Sequence, residues 1–182
     1  MNSIKSQTVN PPYSLEKMTE HHDVSSFDCQ NSYLNDFLRI KAWNETKRDL
    51  SLTFILSDQS STAPAIVGYF TLRSDSYYPE DISGIDIIPV IELVALARSY
   101  VYSRQGIGDY LLIEALRNVK RVSDLVGATG LHLFPTREGR RLYDRYNFKL
   151  HPLSYRTDLL FIPINDIRQI VGETEEGRAS AS

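Results

Sequence analysis

The sequence predicts an α+β domain: one mixed, mostly antiparallel sheet flanked by helices. Three observations lead there. Period-two apolar runs and helically spaced ones intermingle in the order βα-ββ-βα-βα-β-β, with no single repeating unit. The chain has 182 residues, of which 42% are hydrophobic and 24% charged, enough for one core at roughly 100–200 residues per domain. No internal repeat, Gly/Ser linker or composition break marks a second domain. The expected layout is a flexible N-terminus over 1–12, one domain over 13–171 and a flexible acidic tail over 172–182.

In chain order, Tyr13 to Met18 reads as a short strand. Asn31 to Arg48 reads as a helix, because Leu34, Phe37, Leu38 and Trp43 recur near helical spacing after the capping residues Asp28 and Asn31. Leu52 to Leu56 and Ala65 to Leu72 form a hairpin around the turn-forming residues Asp58 to Pro64. Asp75 to Gly84 is a loop. Val90 to Arg98 is too apolar to face water on either side and is predicted to be a central buried strand. Gly108 to Val126 is an amphipathic helix with Leu111, Leu112, Ala115, Leu116 and Val119 inside. Leu131 to Phe134 is a strand and Arg137 to Tyr146 a short helix. Phe148 to Leu150 and Leu159 to Ile164 close the sheet, and Asn165 to Val171 makes a last helical turn or two.

Composition excludes several classes. The first residues contain no apolar signal-peptide core. The longest apolar stretch, Ile87 to Ala97, has 11 residues and carries Glu92, whereas a bilayer span needs about 20. A single cysteine, Cys29, excludes an internal disulfide framework and a multi-cysteine metal cluster. A soluble, cytoplasmic chain is expected. Its net charge of −3 hides an asymmetry, since residues 98–149 hold 10 of the 20 basic side chains against 5 acidic ones. Such a local basic field suits an anionic ligand, a phosphorylated cofactor or RNA, although arginines scattered over helix faces give the same count.

Chemistry concentrates in Leu96-Ala-Arg-Ser-Tyr-Val-Tyr-Ser-Arg-Gln-Gly-Ile-Gly-Asp-Tyr-Leu-Leu112. A buried strand ends, a polar turn follows, and Gly106-Ile107-Gly108 opens a long helix. Glycines there let backbone N–H groups converge on an anion, and the helix N-terminus adds partial positive charge. A pyrophosphate fits. Gly108 is followed by Asp109-Tyr110, which rules out a P-loop, and the third glycine of a dinucleotide fingerprint is missing. Farther on, Gly139-Arg-Arg-Leu-Tyr143-Asp-Arg-Tyr-Asn147-Phe148 places a phenol one helical turn before a helix end, where Asn147 suits a left-handed residue.

Together these segments resemble the GNAT superfamily of acetyl-CoA-dependent N-acetyltransferases. The family's Gln/Arg-x-x-Gly-x-Gly/Ala pattern falls on Ser103 to Gly108, with Ser103 in the place of Gln/Arg. Its Phe/Leu-Tyr-x-x-x-Gly-Phe pattern falls on Leu142 to Phe148, with Asn147 in the place of Gly. The resemblance implies splayed central strands that hold acetyl-CoA. Leu96, Ala97 and Arg98 would pair with the pantetheine arm, and Ser103, Arg104, Gln105, Gly106, Ile107, Gly108 and Asp109 would hold the pyrophosphate. Thr136 stands where many relatives carry an Asn that touches the cofactor. Tyr143 would be the general acid. Glu92, six residues before Arg98, is similar in spacing to the general-base glutamate of histone-type members, while other relatives use water chains.

The run Phe27-Asp-Cys-Gln-Asn-Ser-Tyr-Leu34-Asn-Asp-Phe37-Leu38, with Val67-Gly68-Tyr69-Phe70, resembles the TacT-type toxins of toxin–antitoxin pairs. That likeness implies aminoacyl-tRNA as acceptor, with Arg137, Arg140, Arg141 and Arg145 of one short helix on its phosphates. It also implies an antitoxin and a homodimer as partners, and no metal. A small-molecule or protein amine as acceptor, and a module that binds CoA without turnover, remain the alternatives. Among other residues, His21-His22-Asp23 reads as a solvated loop and Cys29 as a half-buried apolar residue. Tyr77-Tyr78-Pro79 reads equally as specificity loop or packing.

Overall fold

The structure is a computed structural model that describes residues 12–60, 64–77, 87–151 and 158–179, the last seven by backbone alone. Expectations for residues 1–11, for 61–63 of the hairpin turn, for 78–84 of the loop and for Pro152 and Leu153 lie outside those residues.

The elements are β1 (Tyr13–Lys17), α1 (Ser32–Asp36), a π-helical segment (Phe37–Ala42), α2 (Trp43–Thr46), β2 (Leu52–Asp58), β3 (Ala65–Tyr77), β4 (Ile88–Arg98), a 3-10 turn (Tyr100–Tyr102), α3 (Ile107–Val126), β5 (Gly130–Leu133), α4 (Arg140–Arg145), β6 (Lys149–Leu150), β7 (Leu160–Pro163) and α5 (Ile164–Ala179). The seven strands hydrogen-bond in the order β1-β2-β3-β4-β5-β7-β6. The pairs β1–β2, β2–β3, β5–β7 and β6–β7 are antiparallel and β4–β5 is parallel, as a mixed, mostly antiparallel sheet requires. Described residues gather into two compact units, one of 12–73 with 93–112 and one of 74–92 with 113–179.

In the first unit, the Asn31 side chain accepts from the Leu34 N–H and starts α1 as a cap should. The helix then widens into the π segment, which the sequence pattern does not show. Its i→i+5 step sets Phe37 and Ala42 on one side, and both are buried with Leu38. They pack with Met18, Phe27, Ile55, Tyr69, Ala95 and Ala97. The Tyr69 ring is fully buried, edge-on to Phe27 at 5.5 Å, and its hydroxyl donates to the Leu34 carbonyl at 2.7 Å. That bond satisfies the one polar atom such a ring carries inward. Gly68 is required by close approach: a Cβ there would lie 2.8 Å from the Ala97 carbonyl oxygen and 2.7 Å from Leu111 Cδ1.

In the second unit, β5 is buried at all four positions, and a Cβ on Gly130 would stand 2.2 Å from the Ile162 carbonyl oxygen of β7. α3 ends where Gly127, at φ +81°, leaves the helix and donates to the Ser123 carbonyl.

Four expectations are corrected. Strand β3 continues through Tyr77, so 75–77 are strand rather than loop. Beyond Val90, which is buried, only one face of β4 is buried: Ile91, Leu93, Ala95 and Ala97 are buried, while Glu92, Val94, Leu96 and Arg98 are half-exposed. The apolar residues Val94 and Leu96 made the strand read as buried on both sides. Arg137 lies outside α4, because Thr136 Oγ1 accepts from the Gly139 N–H and holds 137–139 in a turn before the helix starts. Finally, α5 runs to Ala179, through most of the segment expected to be a flexible tail. The glutamates that made 172–182 look like a solvated tail are also good helix formers.

Candidate active site

The glycine turn is built in the first unit. β4 ends at Arg98, and the Ser99 N–H bonds the Val67 carbonyl at 2.8 Å. The Tyr100 N–H then reaches the Asp28 carbonyl at 2.9 Å, which fixes the entry of the turn. Arg98 Nη1 donates to Ser103 Oγ at 2.7 Å, and Ser103 Oγ donates to the Tyr100 carbonyl. Ser103 therefore braces the turn from inside. Gln105 is held by the Tyr13 hydroxyl, which donates to its Oε1 at 3.3 Å. The Tyr13 ring meets Tyr102 edge-on at 6.1 Å, and the Tyr102 hydroxyl donates to Asp58. Burial first, and Asp58 second, raise the pKa of both phenols, so each stays a donor.

Arg104 and Gly106 are left-handed, at φ +62° and +74°, within three residues. Such alternation curls the chain so that successive N–H groups lean into one concavity, the shape that receives an anion. Ile107 and Gly108 follow in the first turn of α3, where N–H groups have no acceptor within the helix. Ile107 is buried, which anchors the helix start, while Ser103, Arg104 and Gln105 are exposed and Gly106, Gly108 and Asp109 half-exposed.

β4 meets β5 only at Ile91↔Leu131 and Glu92↔His132. Leu93 to Arg98, including Leu96, Ala97 and Arg98, run on beyond the last pair. No ladder pair with β5 is made beyond Glu92 among the described residues.

The second unit holds Glu92, Thr136 and Tyr143. The Tyr143 ring is 6% exposed, edge-on to Phe148 at 5.4 Å, and burial pushes its hydroxyl's pKa up. Asn147 takes the left-handed conformation at φ +61°, and the Phe148 N–H returns to the Tyr143 carbonyl at 3.2 Å. Thr136 Oγ1 already accepts from Gly139, which leaves its hydroxyl proton as the group it can offer. Of the four arginines, Arg140 Nε pairs with Asp144 at 3.0 Å and Arg145 reaches the Arg141 carbonyl at 3.4 Å. Arg137, Arg141 and Arg145 are exposed.

Glu92 is half-buried and is not alone. One oxygen each from Asp75 and Glu92 and one ring nitrogen of His132 lie within 4.8 Å of one another. Sequence reading missed Asp75 and His132, although His132 is the one polar side chain inside the run Gly130-Leu-His-Leu133. Elsewhere, the His22 ring is taken up by Thr19 and Glu16. The Cys29 thiol donates to Asn35 Oδ1 at 3.1 Å, with its pKa raised by burial, which makes it a packing residue and a poor nucleophile. A cavity of 610 Å³ in the first unit is lined by Glu16, His21, His22 and Gln59, and by none of the predicted site residues.

Three similarities to known proteins bear on this geometry. The tRNA-acetylating toxin of Mycobacterium tuberculosis (strain ATCC 25618 / H37Rv) is 26% identical over 166 residues, covering 86% of this chain and 95% of the toxin. The structure of AtaT in a tyrosine-to-phenylalanine variant, with the C-terminus of the antitoxin AtaR and acetyl-CoA, superposes with a TM-score of 0.74 at 23% identity, over 87% of this chain and 97% of that one. AtaT complexed with acetyl-methionyl-tRNAfMet superposes at 0.76 and 23%, over 87% and 98%. The fold is that of the AtaT toxin. No family model matches the chain.

Proposed function

We propose that this chain is an acetyl-CoA-dependent N-acetyltransferase whose acceptor is the amino group of aminoacyl-tRNA. The observation that carries the reading is the likeness to a tRNA-acetylating toxin over 86% of the chain, joined to a turn with left-handed Arg104 and Gly106 at the start of α3. Acetyl-CoA would lay its pyrophosphate in the concavity from Ser103 to Asp109. Its pantetheine amides would pair with the backbone of Leu96 to Arg98, as an added strand does. Thr136 would offer its hydroxyl proton to the cofactor. A cytoplasmic location would follow from an aminoacyl-tRNA acceptor. No helix among the described residues is long and apolar enough to cross a membrane.

The reaction is direct attack of a neutral amine on the thioester carbon. Tyr143 would protonate the departing thiolate. Burial raises the hydroxyl's pKa and keeps the phenol protonated, so its proton would be in place when the C–S bond lengthens. Glu92 would draw the proton from the amine. Arg137, Arg140, Arg141 and Arg145 would contact acceptor-stem phosphates. The reading also implies an antitoxin partner, since AtaT is solved with the antitoxin AtaR.

The test is transfer of labelled acetyl from acetyl-CoA to a panel of charged tRNAs, free amino acids, polyamines and basic peptides. Acetylated aminoacyl-tRNA is the expected product. Transfer to a free amine or peptide alone would move the assignment to the small-molecule or protein-amine alternative, and CoA binding without transfer to the non-catalytic one.

A further inference from the structure

Glu92 and His132 form the last pair between β4 and β5, side by side where the strands part. His132 is 6% exposed, and its Nε2 lies 3.0 Å from Asp75 Oδ2 at the far end of β3. Its Nδ1 is buried and makes no hydrogen bond. The Asp75 side chain is 42% exposed. We propose that Asp75, His132 and Glu92 are the proton-accepting unit for the acceptor amine, with His132 the group that holds the proton. This rests on the acyl-transfer reading above.

A carboxylate only accepts, so the nitrogen facing Asp75 carries the hydrogen and Nδ1 keeps a bare lone pair. Asp75 thus fixes tautomer and ring orientation and acts as a positioning residue, the part a carboxylate plays behind a catalytic imidazole. His151 is the other titratable ring against His132, with centroids 6.3 Å apart. It packs on Tyr77 and Phe161, and burial first, then His132, lower its pKa. It stays neutral and adds no competing charge. β7 contributes the apolar Phe161 opposite His132.

The step balances as follows. The amine nitrogen bonds the acetyl carbon, the C–S bond breaks with its electron pair passing to sulfur, and the amine proton enters through half-exposed Glu92 and is held on the imidazole. Tyr143 protonates the thiolate. The imidazolium then releases its proton to water past exposed Asp75, and the phenol regains one.

Two measurements on the full chain test this. Ring 15N shifts of His132, in chelator-treated protein, should show the Nε2–H tautomer at high pH and a lower proton affinity in Asp75→Asn. Rates of acetyl transfer to charged tRNA against pH should then be compared for wild type, Asp75→Asn and His132→Gln, with acetyl-CoA affinity measured in each. For His132→Gln, kcat should fall about 10²-fold or more at unchanged acetyl-CoA affinity. Its acidic limb should move up to the amine's own ionisation, near pH 8, whereas in Asp75→Asn the limb should move down. An Nδ1–H tautomer, or a wild-type profile in His132→Gln, would overturn the proposal and leave acyl transfer standing. Activity lost to chelators and restored by a divalent cation would overturn it in favour of a cation site on the same three groups. Absence of transfer by the wild type would overturn both readings.

Discussion

Tyr143 is packed like a core residue, and the proposed reaction gives it a chemical role. Its ring is packed on Phe148 and nearly all buried, while nothing but burial acts on the hydroxyl's proton affinity. Tyr143→Phe keeps the ring and its packing and deletes only the proton. We expect kcat to fall about 10²–10⁴-fold with acetyl-CoA affinity and thermal midpoint close to the parent's, read by initial rates, calorimetry and thermal melts. Full turnover in the Phe variant would leave Tyr143 a packing residue. At this scale the sequence was informative where a backbone demand and a residue type coincide: Asn147 at a left-handed helix end and Gly106 in the curl of the turn. It was silent on Asp75 and His132, 57 residues apart, because only the sheet brings them together.

At the scale of elements, the glycine turn and α3 act as one piece. Gly108→Val places a branched side chain in the first turn of α3, against the space where the pyrophosphate would lie. Lost hydrogen bonds to a charged ligand cost roughly 1.5–3 kcal/mol each, so acetyl-CoA affinity should drop by one to two orders of magnitude in a titration, with the helix itself retained. Undiminished affinity would sink the phosphate-cradle assignment. Elements with a regular period were legible: β1, the β2–β3 hairpin, β4, α3 and β7 all fall within a few residues of where the pattern put them. The π segment was not, because Leu34, Phe37, Leu38 and Trp43 satisfy an ordinary helical stripe nearly as well. The second face of β4 was misread for a related reason, since apolarity reports absence of water without saying whether protein or ligand excludes it.

At the scale of the whole molecule, the uneven charge bears on the acceptor. The chain is acidic overall, yet residues 98–149 hold half of its basic side chains, with Arg137, Arg141 and Arg145 exposed. If they contact tRNA phosphates, acceptor affinity should fall by about 0.7–0.9 log units per contact for each tenfold rise in salt. A double Arg140→Ala, Arg141→Ala variant should flatten that slope and leave acetyl-CoA binding intact. Acceptor binding that ignores both salt and the double variant would remove RNA from the account, and acetyl-CoA affinity lost in the same variant would reassign these arginines to the cofactor.

The parting of β4 from β5 after Glu92 has an effect on the protein's life before catalysis. A strand margin without its neighbour is adhesive: it offers a ladder to any extended peptide, including a second copy of this chain. An amide-bearing pantetheine arm laid along Leu96 to Arg98 would occupy that ladder, so a bound donor would also close a strand edge to other chains.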